Sequence, residues 1–254
     1  MDISASAPNR ERLERFPRER SLETLERLAI VNRYEIGTSI YRYNDPVEHW
    51  FRIVAGAARM SALTGDGRRH IVDFMLPSDF FGFAASGGRN FCVEAIIPGT
   101  LIARYPRRSA ERLADCDPQI ARHIREVAFE SIARLQRRTV ILGRTRALEK
   151  VSAFLLEMAD RSHTAPTHAV YLPMSRYDIA DYLGMAVETV SRTLTQLRSR
   201  AAIAFCAARQ VQICNRGALE KFADRLIERG AHPRKDTRHS LTVCNGPGLI
   251  PPQG

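Results

Sequence analysis

The chain reads as an α+β protein: an N-terminal double-stranded β-roll, a long dimerisation helix and a C-terminal winged helix-turn-helix. Three observations carry this reading. Between Val31 and Tyr105, short extended runs alternate with turn residues at a spacing of about 8–12 residues. A helical period then runs from Asp117 to Gly143 with no proline after Pro118. Finally, two short amphipathic segments joined at Gly184 precede two β-rich runs. At 254 residues, with 44% hydrophobic and 26% charged, the chain is long enough for more than one domain and ordinary enough to bury a core.

Residues 1–28 form a polar arm ending in a short helix, which Ser21 can cap and on which Leu22, Leu25 and Leu28 share a face. Residues 29–116 form the roll. Its strands are expected at Tyr34 to Tyr43, Trp50 to Val54, Ala57 to Leu63, Arg69 to Met75, Phe91 to Ile97 and Leu101 to Tyr105. Turns fall at Asn44-Asp45-Pro46, Thr64-Gly65-Asp66-Gly67 and Pro77-Ser78-Asp79, and Asp66-Gly67 is the strongest hairpin signal. Such a meter belongs to a barrel or a double-sheet roll.

Residues 117–143 form the long helix. Ile124, Ala128, Ile132, Leu135, Thr139 and Leu142 step by three and four, a stripe as narrow as a coiled-coil seam, and Arg122, Arg125, Arg134, Arg137 and Arg138 flank it. Ile124, Ala128, Ile132, Leu135 and Leu142 are therefore the expected dimer contacts. Residues 144–223 form the third unit. It opens with a helix carrying Leu148, Val151, Phe154, Leu155 and Met158, followed by a polar linker from Ser162 to Thr167.

Ser175 caps the helix from Arg176 to Leu183, and its acidic first turn offsets the helix dipole. Gly184 ends it, and Val187 to Leu197 forms a second helix. Ile179, Leu183, Val190, Leu194 and Leu197 supply the contacts between the two helices, and small Ala180 lets them approach. This is a helix-turn-helix. Glu188, Thr189, Ser191, Arg192 and Gln196 must then project outward, and their chemistry suits a major groove: Arg donates twice to guanine, Glu accepts from cytosine N4, and Ser or Thr bonds a base or a phosphate. Ser175 and Arg176, at the entry to the first helix, join this candidate DNA-binding set. Ala202 to Cys206 and Gln210 to Cys214 read as a wing, with Arg209 near its tip poised for a phosphate.

Lys plus Arg exceeds Asp plus Glu by 38 − 28 = 10, an excess that suits an anionic partner. Nearly all the cations are arginine. Five widely spaced cysteines and seven scattered histidines signal neither a disulfide framework nor a metal cage, so no cofactor is expected. No run approaches a membrane span and no signal-peptide core is seen at Met1 to Arg20, so a cytoplasmic protein with no membrane partner is expected. Residues 230–254 hold four Gly and four Pro, and the segment 224–254 is expected to be a disordered tail.

A roll, a long helix and a winged helix-turn-helix in that order resemble the Crp/Fnr superfamily of bacterial transcription regulators over roughly residues 30–222. The stretch from Glu48 through Trp50, Phe51 and Ile53 to Gly56 is similar to the roll signature E-x-x-Y-x-I-x-x-G. Asp66-Gly67-Arg68-Arg69, followed by Phe74 to Gly82, resembles D-G-R-R and F-x-L-P-G-D-x-F-G. Glu188, Ser191 and Arg192 match the E-x-x-S-R core of the Fnr and FixK branches, whose members read a two-fold TTGAT…ATCAA box.

The resemblance implies a cyclic-nucleotide-binding-like roll and a homodimer acting on double-stranded DNA with RNA polymerase, and it implies no enzymatic activity. Residues 1–91 lack the cysteine cluster of the oxygen sensors, and Phe83 stands where nucleotide binders present Glu, with Arg89 the sole counterpart of their Arg-Ser pair. A FixK-like regulator working without cyclic nucleotide or iron–sulfur cluster is thus implied. The alternative is a ligand-gated regulator whose roll binds a small molecule or haem. A metalloenzyme barrel would need paired histidines, whereas His49 and His70 stand alone. Ser78 and Ala201 replace two glycines usual in the family.

Overall fold

Among the described residues, eight antiparallel strands close the roll as two four-stranded sheets, β1-β8-β3-β6 and β2-β7-β4-β5. They are β1 (Ile30–Tyr34), β2 (Ser39–Tyr41), β3 (His49–Ala55), β4 (Ala58–Leu63), β5 (Arg69–Met75), β6 (Phe80–Phe81), β7 (Cys92–Ala95) and β8 (Thr100–Pro106). The computed structural model describes residues 22–223 except 64, 66, 68, 85–87, 162–168 and 208. The expectations for the arm and Ser21, for Asp66 at the hairpin tip, for the linker and for the tail lie outside the described residues. Between the sheets, alternate residues meet in one apolar layer that includes Tyr41, Phe51, Ile53, Val93 and Ile102.

The expected strand from Tyr34 to Tyr43 is instead two, β1 and β2, on different sheets. Gly37 makes the break at φ +79°, and its amide bonds Ala95 O at 2.8 Å. The strand expected from Phe91 to Ile97 shrinks to Cys92–Ala95, and Phe80–Phe81 adds a strand too short to leave a periodic signal.

Residues 22–26 are helical (α1), and Leu25 packs with Ala103, Tyr105, Ala110 and Ile120. The roll segment ends in an unforeseen helix, α2 (Arg107–Cys116), whose apolar stripe is only Ala110, Leu113 and Ala114. Asp117 then caps α3 (Pro118–Gly143) by accepting from Gln119 N at 2.8 Å, with Pro118 at the first helical position. The remaining elements are α4 (Ala147–Arg161), β9 (Ala169–Tyr171), α5 (Arg176–Leu183), α6 (Val187–Ser199), β10 (Ile203–Ala207), β11 (Gln210–Ile213) and α7 (Arg216–Ala223). β9, unforeseen as a strand, pairs with β11 and makes the wing a three-stranded sheet.

The C-terminal unit and the roll share a core. Ile71, Phe74 and Leu76 of the roll pack in the same cluster as Val151, Phe154, Tyr182 and Leu194. Above it, Asp178 of α5 accepts from Arg59 at 2.5 Å and from Arg69 at 3.4 Å, and Asp181 accepts from Ile71 N and faces His70. Burial alone would raise the Asp178 carboxyl; the Ser175 hydrogen bonds and the Arg59 guanidinium outweigh it and hold the group below the usual carboxylate range.

The first prediction rests on these contacts. Asp178→Asn is expected to cost roughly 1.5–3 kcal/mol, the worth of charge-assisted bonds. Because the folded carboxyl is depressed, its contribution is present above the unfolded value and is lost as pH falls through the folded one, so the two proteins converge in acid. Denaturant titration along a pH series reads this, and a difference that is flat with pH would refute it.

The second concerns Ser78 and Ala201, which adopt φ +76° and +53°. A Cβ in that region costs about 1–2 kcal/mol, partly offset by the entropy glycine adds to the unfolded chain. Ser78→Gly and Ala201→Gly are therefore each expected to stabilise by roughly 0.5–1 kcal/mol, measured by the same titration.

Candidate nucleic-acid interface

α5 begins at a complete capping box: Ser175 Oγ accepts from Asp178 N at 3.1 Å, and Asp178 accepts from Ser175 N at 3.0 Å. It ends at Gly184, whose φ of +62° provides the left-handed cap from which the chain turns into α6. Ile179, Ala180, Leu183, Val190, Leu194 and Leu197 are all buried, so the packing expected between the two helices is present. That packing fixes which side of α6 is free.

On the free side, Glu188, Arg192 and Gln196 are exposed, while Thr189 and Ser191 are half-buried. Arg176, at the start of α5, donates to Ser191 Oγ at 3.4 Å, which joins the two helices on this face. Ser175 and Arg176 are exposed. Thr195 and Arg198, four and seven residues after Ser191, share its face, yet the sequence reading passed over both. It also passed over Tyr177, 73% exposed beside Arg176. Helical period alone could have found Thr195 and Arg198. Arg209 is exposed at the wing turn, and its carbonyl accepts from Leu172 N at 2.8 Å.

The long helix divides its residues differently from the expected seam. Ile132 and Leu135 are half exposed, as a partner-facing stripe requires, and they are joined by Phe129 at 61% and Val140 at 63%. Ala128 is half-buried. Ile124 instead packs into the α1, β8 and α2 cluster, and Leu142 lies against the Gly184 turn. Arg134 and Arg138, expected to flank the stripe, are buried on the opposite side. Arg134 donates to Asp79 at 3.1 Å and to Asp73 at 3.4 Å, and Arg138 donates to Ile71 O at 2.6 Å.

A cavity of about 270 Å³ lies between the roll and α3, lined by Tyr41, Met60, Phe81, Arg89, Phe91 and Leu135 among others. Arg89 belongs to its wall: it donates to His49 O at 2.6 Å and to Gly82 O at 3.0 Å, and its Cζ lies 4.0 Å from the centroid of the Tyr41 ring. Burial pushes the Tyr41 hydroxyl up to about 12 and the Arg89 guanidinium down. Phe83 packs on Trp50. His49 and His70 sit on different sheets, the first facing Arg104 and the second facing Asp181 and Arg138.

Among the described residues, no helix is long and apolar enough to cross a membrane. Two family models match the chain: a cyclic nucleotide-binding domain over residues 31–115 and a Crp-like helix-turn-helix domain over residues 149–222. The nitrogen fixation regulation protein FixK of Rhizobium meliloti is 36% identical over 195 residues, covering 77% of this chain and 88% of that protein. The transcriptional activatory protein AadR of Rhodopseudomonas palustris is 36% identical, covering 69% of this chain and 74% of that protein. The structure of FixK2 from Bradyrhizobium japonicum superposes with a TM-score of 0.71 at 38% identity, covering 76% of this chain and 96% of that one. The chain belongs to the Crp/Fnr family of DNA-binding transcription regulators, on its FixK-like branch.

Proposed function

We propose that the protein binds a two-fold TTGAT…ATCAA-like box as a parallel homodimer and recruits RNA polymerase there, without a cyclic nucleotide, haem or iron–sulfur cluster. The observation that carries the reading is α6: with Val190, Leu194 and Leu197 buried, it can offer a groove only Glu188, Ser191, Arg192 and their neighbours. Arg192 reads a guanine, Glu188 accepts from a cytosine and Ser191 contacts base or phosphate, with Thr189 and Gln196 at the flank. Ser175, Arg176 and Arg209 fix the register on phosphates. Independence from a nucleotide is supported by Arg89, whose Nη1 and Nη2 already donate within the roll and whose guanidinium lies over the Tyr41 ring.

The dimer uses the exposed side of α3, where Phe129, Ile132, Leu135 and Val140 need a cover. Two such helices set the recognition helices about 34 Å apart, one turn of duplex.

Three outcomes test this reading. Arg192→Ala is expected to lose about 1–3 kcal/mol per half-site and to relax preference at one base pair. Binding measured on a panel of single-base variants reads this directly, and an equal loss on scrambled duplex would move Arg192 to the backbone. Ile132→Asp or Leu135→Asp places an unpaired charge in the seam at a cost of several kcal/mol and is expected to give monomers in sedimentation. Ile124→Asp is expected to unfold the roll instead. Thirdly, metal-free and nucleotide-free protein is expected to bind the box in air far more tightly than scrambled DNA; equal binding to both, restored by a cell extract, would mean that an effector is required.

A further inference from the structure

Phe205 lies on β10, in the wing, and is only half-buried. Its ring is flanked by two guanidiniums from different elements: Arg176 of α5 at 5.7 Å from the centroid and Arg198 of α6 at 5.9 Å. Both lie within the range at which a cation is held by an aromatic face. Both arginines are exposed, and among the described residues neither is paired with a carboxylate. This sets them apart from Arg59, Arg69, Arg134 and Arg161, which are neutralised by aspartates.

Two unneutralised cations gathered around one ring repel each other, and an anion between them relieves the repulsion. The pair is also placed for one. Arg176 reaches Ser191, and Arg198 lies two helical turns beyond Ser191 on the same face of α6, so the cluster borders the candidate reading face. Successive phosphates along one strand match this chemistry, because a flexible arginine that must be ordered on binding loses side-chain entropy which a platform removes in advance.

We infer that Phe205 is a positioning residue. It holds Arg176 and Arg198 ready for backbone phosphates of one DNA strand beside the groove, which makes Arg198 a phosphate contact in addition to those proposed above. The inference rests on the reading that α6 faces DNA.

The test is a mutant cycle on the full chain, with binding to the TTGAT…ATCAA duplex and to a scrambled duplex followed across a salt series. Arg198→Ala is expected to weaken both duplexes by a similar factor and to reduce the salt slope by about one. Phe205→Leu is expected to weaken both by roughly two- to fivefold, the size of an exposed cation–ring contact. Phe205→Tyr, which keeps the ring, is expected to bind like the wild type. In an Arg176→Ala/Arg198→Ala background, Phe205→Leu is expected to change nothing further, which a purely structural role for the ring would not produce. An undiminished effect of Phe205→Leu in that background, Tyr as harmful as Leu, or an unchanged salt slope for Arg198→Ala would each overturn the inference. The cycle can be read on scrambled duplex alone, so loss of cognate preference would count against the proposed box and not against the platform.

Discussion

A charge can be buried only with its partner, and in this protein the partners sit on different modules. Asp73 and Asp79 belong to the roll, Arg134 to the long helix and Arg161 to the end of α4, and the four meet in one buried cluster with Arg161 2.7 Å from Asp79. Separating any module strands a desolvated charge, so the roll, the rod and the C-terminal unit have one mutual arrangement. The cluster is not fully satisfied. Glu157 borders it with both carboxylate oxygens lacking a hydrogen bond, and burial pushes its carboxyl up, as burial does that of Asp73 against the pull of Arg161 and Arg134. A partly satisfied buried network adds little net stability and much geometric restriction.

That restriction reaches the proposed reading face by a short route. Asp178 is both the capping-box partner of Ser175 and the acceptor for Arg59 of the roll, so the start of α5 is held to the roll by the same carboxylate that begins the helix. At the other end of α5, Arg138 of the rod stacks 4.8 Å from the Tyr182 ring centroid, next to Leu183 and the Gly184 cap. A family with this architecture must orient two helix-turn-helix units on one duplex. Here contacts within one protomer set the orientation of its unit against the roll, and in the proposed dimer α3 has then only to set the distance between two such units.

What was legible in the sequence was local. The helix-turn-helix could be read residue by residue because a cap, a glycine and a packing stripe act within about twenty positions, and they appear where the spacing puts them. The rod was legible as a helix but not as a surface. Its stripe, counted by three and four, drifted onto Ile124 and Leu142, which face inward, and missed Phe129 and Val140, which face out. Nothing in a single helix says which side its own domain will cover. The same limit hid Arg134 and Arg138, since a buried arginine and a solvated one look alike until the aspartates, more than fifty residues earlier, are brought beside them. α2 and β9 were lost for the opposite reason, being too short and too weakly patterned to stand out from a loop.

The arginine excess shows the same point from the side of function. A net charge of +10 suggested an anionic partner, yet Arg52, Arg59, Arg89, Arg134, Arg138 and Arg161 are spent inside the protein on carboxylates, carbonyls and rings. Their number carries no information about DNA. The informative arginines are four of the exposed ones on the C-terminal unit, those beside the proposed reading face: Arg176, Arg192, Arg198 and Arg209. They extend from the start of α5 through α6 to the wing turn, and that line, not the sum over the chain, is the footprint proposed for a phosphate backbone.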